Sequence, residues 1–184
     1  MTILPRAVVA SAVAGAVVGA VAVWGAVDRL DDRWARHAVV QGEMADVRAV
    51  IGARLDEAVG VSGLDASFAT GDTDLRRQID DLLSWAEVSD NDGLTDVVIA
   101  READLVEATT ASGSVDERLL VPLESALREL DRATVRPTAD AAQAAGDTAR
   151  RTLLIALAVP AALAALAALA IWLGRRRDEA TRFP

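Results

Sequence analysis

The sequence predicts an all-α fold in which two transmembrane helices flank an up-down-up-down four-helix bundle. Three observations predict it. Two apolar runs, Ala7 to Val27 and Leu153 to Leu173, contain no ionisable residue. At about 1.5 Å rise per residue, roughly twenty residues cross the ~30 Å hydrocarbon layer of a bilayer. Between the runs, apolar residues recur at spacings of three and four, the pattern of helices with one buried face. Gly- and Asp-rich turns cut that stretch into pieces, and because both spans border one compartment, the number of full-height helices between them must be even, which four satisfies. The segments read as 1–6, a cytoplasmic N-terminus; 7–27, the first span; 28–151, a helical extracytoplasmic bundle; 152–173, the second span; and 174–184, a basic cytoplasmic tail.

In the first span, Ser11, Gly15 and Gly19 recur every fourth residue and place small side chains on one stripe, where another helix backbone can approach closely. Gly and Ala are also simply common in membrane helices. If the stripe packs, its partner is the second span or another copy of the chain. Trp24 lies near the end of this span and reads as an interfacial anchor. Ala20-Val21-Ala22 offers a small-x-small cleavage pattern. A secretory apolar core runs only about 7 to 15 residues, however, and the longer run here favours an uncleaved anchor over a signal peptide.

From Asp28 to Val59, the residues Val40, Met44, Val47, Ile51, Leu55 and Ala58 form one apolar stripe, so a single long helix is expected to continue out of the first span. Gly60, Gly63 and Gly71 punctuate a turn region. Leu75, Ile79, Leu82, Leu83 and Ala86 then mark a second helix, which Asp90-Asn91-Asp92-Gly93 stops. A weaker third pattern runs from Leu94 to Ala111 through Val98 and Leu105, although Val97-Val98-Ile99 could be strand. Ser114 and Glu117 have capping-box spacing and predict the start of a fourth helix, with Leu119, Leu123, Leu127 and Leu130 on its face. Pro122 is expected to bend that helix and Pro137 to break or kink it before residues 138–151 lead into the second span. Pro160 lies inside that span, where it removes one backbone hydrogen bond and crowds the carbonyl of Ala156, so a kink is expected. Trp172 and the adjacent Arg175, Arg176 and Arg177 read as the anchor of its far end. The two middle helices look shorter than the outer pair, which would leave Leu30, Trp34 and the alanines at 141, 142, 144 and 145 available to another copy; a homodimer or a partner membrane protein is the expected company.

Charge decides orientation and excludes partners. The chain carries a formal charge of -9, no Cys, no Tyr, one His and no Lys, so Arg supplies all its positive charge. Disulfides and thiolate chemistry are excluded. An acidic balance also argues against nucleic acid, whose phosphates need a basic face. Absence of Lys suits a GC-rich genome or a salt-adapted proteome, and composition does not separate the two. Arg6 and the cluster Arg175, Arg176, Arg177 and Arg182 lie on the short tails; Arg29, Arg33, Arg36, Arg150 and Arg151 flank the spans on the other side. Long loops translocate largely regardless of charge, so the tails are expected to decide and both termini to lie in the cytoplasm.

This plan resembles the extracellular four-helix-bundle sensory domains of bacterial chemoreceptors and sensor kinases. Phe68-Ala69-Thr70-Gly71-Asp72, followed by Leu75 and the helix through Trp85, is similar to the Thr-Gly-Asp turn of helical sensory domains associated with histidine kinases and cyclases. The resemblance implies a sensory or interaction domain. Residues 174–184 hold no linker helix pair, kinase, cyclase or methyl-accepting region, so any signal is expected to pass through partner proteins. The alternative is a structural or scaffolding protein of the envelope with no small-molecule ligand.

No motif for catalysis or for a cofactor appears: there is no phosphate-cradling Gly loop, H-E-x-x-H, G-x-S-x-G or Cys/His ligand set. An enzyme is not expected, nor is a cofactor or a resident metal. His37 is expected to be an exposed side chain among charges. Asp90, Asp92 and Asp96 crowd one turn, but placing Gly93 at the sixth position of an EF-hand loop puts Val88 first and Ile99 twelfth, which does not fit. The ligand, if there is one, is not identified by these residues.

Overall fold

The computed structural model describes the backbone of residues 3–60, 71–90 and 93–180, and the side chains of 13–60, 73–90 and 93–173. Four helices make up the described chain: α1 (Ile3–Gly60), α2 (Gly71–Ala86), α3 (Leu94–Ser112) and α4 (Glu117–Ala180). No strand occurs among the described residues. Val97, Val98 and Ile99 lie inside α3, so this short β-branched run does not form a strand: β propensity depends on partner strands to pack against, and none is present among the described residues. Of the turn compared above with sensory domains, Phe68 to Thr70 lie outside the described residues, and Gly71 and Asp72 open α2.

The chain divides into two compact units, one formed by Met1–Asp31 with Gln143–Pro184 and the other by Asp32–Ala142. The central unit has a core fed by all four helices: Val40, Met44, Val47 and Ile51 from α1; Leu75, Ile79, Leu82 and Leu83 from α2; Val98 and Leu105 from α3; Leu123, Ala126 and Leu130 from α4. Ala126 apart, these are stripe positions of the sequence, brought together because each fully buried Leu, Ile or Val contributes about 1.5 to 3 kcal/mol that no exposed arrangement could supply. The terminal unit is the opposite case. Val17, Val18, Val21, Ile155, Leu157 and Leu166 are all exposed, and two helices here are long and apolar enough to cross a membrane.

Helix ends show how the sequence sets its own boundaries. At the end of α2, the Glu87 amide donates to the Ser84 carbonyl (3.1 Å) and the Val88 amide to the Leu83 carbonyl (3.0 Å). That is a Schellman motif, with Val88 packed against the core cluster to which Leu83 belongs. Its left-handed position, usually glycine, is filled by Glu87 at φ 56°. Helix α3 ends more conventionally on Gly113 at φ 70°, whose amide donates to the Thr109 carbonyl at 2.8 Å. The capping box expected from Ser114 does not form. Asp116 caps α4 instead, its carboxylate accepting from the Arg118 amide at 2.8 Å, while the Ser114 carbonyl accepts from the Ser112 hydroxyl. A carboxylate directly before the first turn is better placed, and its charge suits the helix N-terminus.

Pro137 does not break α4, which is helical without interruption from Glu117 to Ala180 through Pro122, Pro137 and Pro160. Each proline forfeits one backbone bond, a loss that tertiary packing on either side can absorb over so long a helix.

Candidate functional site

In the terminal unit, the small-residue stripe can be followed residue by residue. A Cβ built on Gly19 would lie 3.4 Å from the Ala156 Cβ, 3.7 Å from its Cα and 3.8 Å from its carbonyl oxygen. Gly19 therefore faces the second apolar helix segment of the same chain at backbone contact distance. Gly15, one turn earlier, has nothing within 4 Å of such a Cβ. Ser11 lies in α1, but its side chain is outside the described residues. A Cβ built on Gly146 would likewise lie 3.7 Å from Leu30 Cδ1, the end of a side chain and not a backbone. Trp24 and Trp172 are both exposed. Arg175, Arg176 and Arg177 belong to α4, with side chains outside the described residues.

The acidic turn before α3 is organised for capping. The Asp90 carboxylate accepts from the Leu94 amide at 2.6 Å and from the Thr95 amide at 3.2 Å, occupying the helix N-terminus from within the chain. Partial burial works to raise its pKa, but the Thr95 and Leu94 donors and the nearby Arg76 charge outweigh this and hold the carboxyl below its usual value. Asp96 turns the other way and pairs with Arg76 at 2.7 Å. Asp92 lies outside the described residues. The two described carboxylates are thus engaged separately, and no group of three or more potential metal ligands occurs among the described residues.

The interior of the central unit is less apolar than its stripes imply. Glu102 has a fully buried side chain and pairs at 3.1 Å with Arg54, itself nearly buried. Beside them, Val50, Ala53, Arg54, Glu57, Asp74, Arg77 and Gln78 line a cavity of about 260 Å³ between α1 and α2. Glu102 was accessible to sequence reasoning: it continues the α3 stripe Val98, Glu102, Leu105, Thr109, and a carboxylate in such a register signals a buried partner. Arg54 stands at the edge of the α1 stripe, three residues after Ile51 and four before Ala58, a position from which an arginine usually reaches out to solvent.

His37 corrects an expectation. It is buried rather than exposed, because it continues the Val40, Met44, Val47 stripe by one further step toward the N-terminus. Its Nδ1 lies 3.1 Å from the Thr138 hydroxyl oxygen. That hydroxyl donates its own proton to the Val135 carbonyl at 2.8 Å, with the Thr134 carbonyl at 3.3 Å, so His37 is the donor between the two. The Trp34 ring meets the imidazole edge to face at 5.8 Å. Ala142, expected to be open to another copy, is also fully buried.

Next to this pair, Arg33, Arg36, Ala86, Glu87, Val88, Pro137, Thr138 and Ala141 line a second cavity of about 280 Å³. Arg36 forms an ion pair with Glu87 at its edge. Arg33 has no ion-pair partner among the described residues. Three separate elements build this recess: consecutive turns of α1, the αL corner after α2, and the Pro137 to Ala141 turn of α4. Nothing in the linear pattern relates Arg36 to Glu87, whose meeting depends on how the α2 corner is folded. No protein-family model, no curated protein and no solved structure matches this chain.

Proposed function

We propose that this chain is a two-pass membrane protein whose central unit is an up-down-up-down helical bundle outside the cytoplasm, serving as a sensory or interaction domain that acts through partner proteins. One observation carries the membrane assignment. Of the two candidate spans, the most apolar stretch of one is 6% buried and that of the other 0%. A buried helix of a soluble core would be covered by its own chain; here apolar side chains including Val17, Val18, Val21, Ile155, Leu157 and Leu166 are exposed along both helices, whereas soluble monomers rarely expose large contiguous apolar patches. Lipid is the solvent that fits. The short basic tails and acidic middle support cytoplasmic termini. The likeness in plan to chemoreceptor and sensor-kinase outer bundles supports the sensory reading, with an envelope scaffold as its alternative.

Cysteine labelling tests the topology, because the chain has no cysteine of its own. In intact cells, Ser112→Cys should react with a membrane-impermeant maleimide, and Thr181→Cys should react only after permeabilisation. The reverse pattern would overturn the orientation. Release of the protein from membranes by alkaline carbonate would overturn the membrane assignment itself.

A further inference from the structure

We propose that the recess between Arg33, Arg36, the Glu87 corner and Pro137 to Ala141 is a binding site for a small organic monocarboxylate with a short apolar body. The chemistry follows from what lines it. Two guanidinium groups against one carboxylate leave one net positive charge. Arg36 is already matched by Glu87, so the unmatched charge is that of Arg33. Standing three residues apart on α1, the two guanidinium groups share one helix face, and a planar carboxylate matches their fork geometry.

The rest of the lining excludes more polar ligands. Ala86, Val88, Pro137 and Ala141 present only apolar surface, and the Thr138 hydroxyl has already given its proton to the α4 backbone. A polyhydroxylated ligand would find few partners for its hydroxyls, and burying them unpaired is costly. An inorganic phosphate dianion would bring more charge than the site balances and leave the apolar wall unused. Size sets the other limit. At about 280 Å³, the recess lies just under the range of roughly 300 to 1,000 Å³ typical of sites for drug-sized molecules, so its occupant is smaller.

The backbone supports the same location. Glu87 is the only non-glycine residue with positive φ among the described residues, and it holds Arg36 at the edge of the recess from that conformation. A glycine would make the same turn without the carboxylate. The inference concerns the central unit alone and does not depend on which way the chain faces across a membrane.

The test is isothermal titration of the full-length chain in detergent micelles with valerate and benzoate, using valeramide, benzamide and inorganic phosphate as controls. Both acids should bind saturably with Kd below about 1 mM. Each neutral amide should bind at least tenfold more weakly. Arg33→Gln keeps the stem and removes the charge, and should weaken acid binding about ten- to a hundredfold, the range for a charge-assisted hydrogen bond. Ala141→Leu fills the recess from the α4 side and should abolish binding; helical circular dichroism of each variant establishes that it is folded, and the exposed Arg33 keeps the test decisive if Ala141→Leu is not. Absence of saturable binding by either acid would overturn the proposal. So would equal binding of acid and amide, phosphate binding in place of the acids, or undiminished binding in Arg33→Gln. A topology failure would appear in the cysteine labelling and leave these titrations untouched.

Discussion

Glu102→Ala should be among the most destabilising single changes in the central unit. Glu102 has no exposed side-chain surface and Arg54 only 11%, at a separation of 3.1 Å. At an effective dielectric of about 20, two unit charges that close attract by about 5 kcal/mol, most of which offsets the cost of taking both from water. Removing the carboxylate leaves the Arg54 charge enclosed without this buried carboxylate beside it, a change worth about 3 to 5 kcal/mol. Replacing both groups with apolar residues, as in Arg54→Met with Glu102→Leu, removes the desolvation cost together with the attraction, and the double variant should be near wild-type stability or above it. The assay is thermal unfolding of the full chain in micelles, followed by helical circular dichroism and by tryptophan emission, to which Trp34 and Trp85 of the central unit contribute. For a unit of this size, about 4 kcal/mol lowers Tm by some 15 °C or more. If Glu102→Ala cost under 1 kcal/mol, or if the double variant were as unstable as the single one, the pair would not be a coupled, desolvated unit and the reasoning would fail.

Three further outcomes are expected. Asp90→Ala should cost about 0.5 to 2 kcal/mol through loss of the α3 cap; because the Asp90 pKa is lowered by folding, its contribution is fully present above the ordinary aspartate value and lost as pH falls through the lowered one, so acid titration of stability should show a shallower decline in the variant than in wild type. Glu87→Gly should be neutral or stabilising by up to about 1 kcal/mol in urea unfolding, since relief of a left-handed residue, about 1 to 2 kcal/mol, outweighs loss of an exposed ion pair worth about 0.2 to 1; a loss above 1 kcal/mol would show that the Arg36 contact dominates. In the terminal unit, Gly19→Ala should be tolerated, its Cβ just reaching contact with Ala156, whereas Gly19→Leu should push the helices apart, read as loss of a disulfide crosslink between cysteines placed one turn along the same two faces, at Val23 and Thr152; equal crosslinking in both variants would show that the close approach is not required.

Four helices, their order and nearly all their core residues were legible because periodicity and burial are the same fact seen twice: Val40, Met44, Val47 and Ile51 are apolar at helical spacing because that face is inside. Turn chemistry was legible in kind and less so in position. Asp116 outcompetes Ser114 as a cap by being two residues nearer the first turn and charged. His37 was misjudged from the charges beside it in sequence, which occupy other faces of the same helix. Of the break or kink expected at Pro137, the break is absent, because a local rule about one lost hydrogen bond is set against the packing of a 64-residue helix. What sequence could not show is any contact that depends on a corner being folded, and the recess at Glu87 is such a contact: α1 supplies two residues and the α2 corner and α4 three each, with no periodicity linking them.

Gly19 and Pro160 have a joint consequence. Proline at 160 leaves the Ala156 carbonyl without its usual helical donor, and that carbonyl is the one lying beside Gly19, where the absence of a side chain lets a neighbouring backbone C–H come near it. The two residues therefore form a notch that sets the axial register between these stretches of α1 and α4. Sliding by one turn, about 5.4 Å, would bring the freed carbonyl to Gly15 in one direction and to Val23 in the other. The first offers a second notch of the same shape, with nothing near it in the present arrangement; the second offers a branched side chain in the way. A one-turn displacement toward Gly15 would thus meet less side-chain obstruction than one toward Val23.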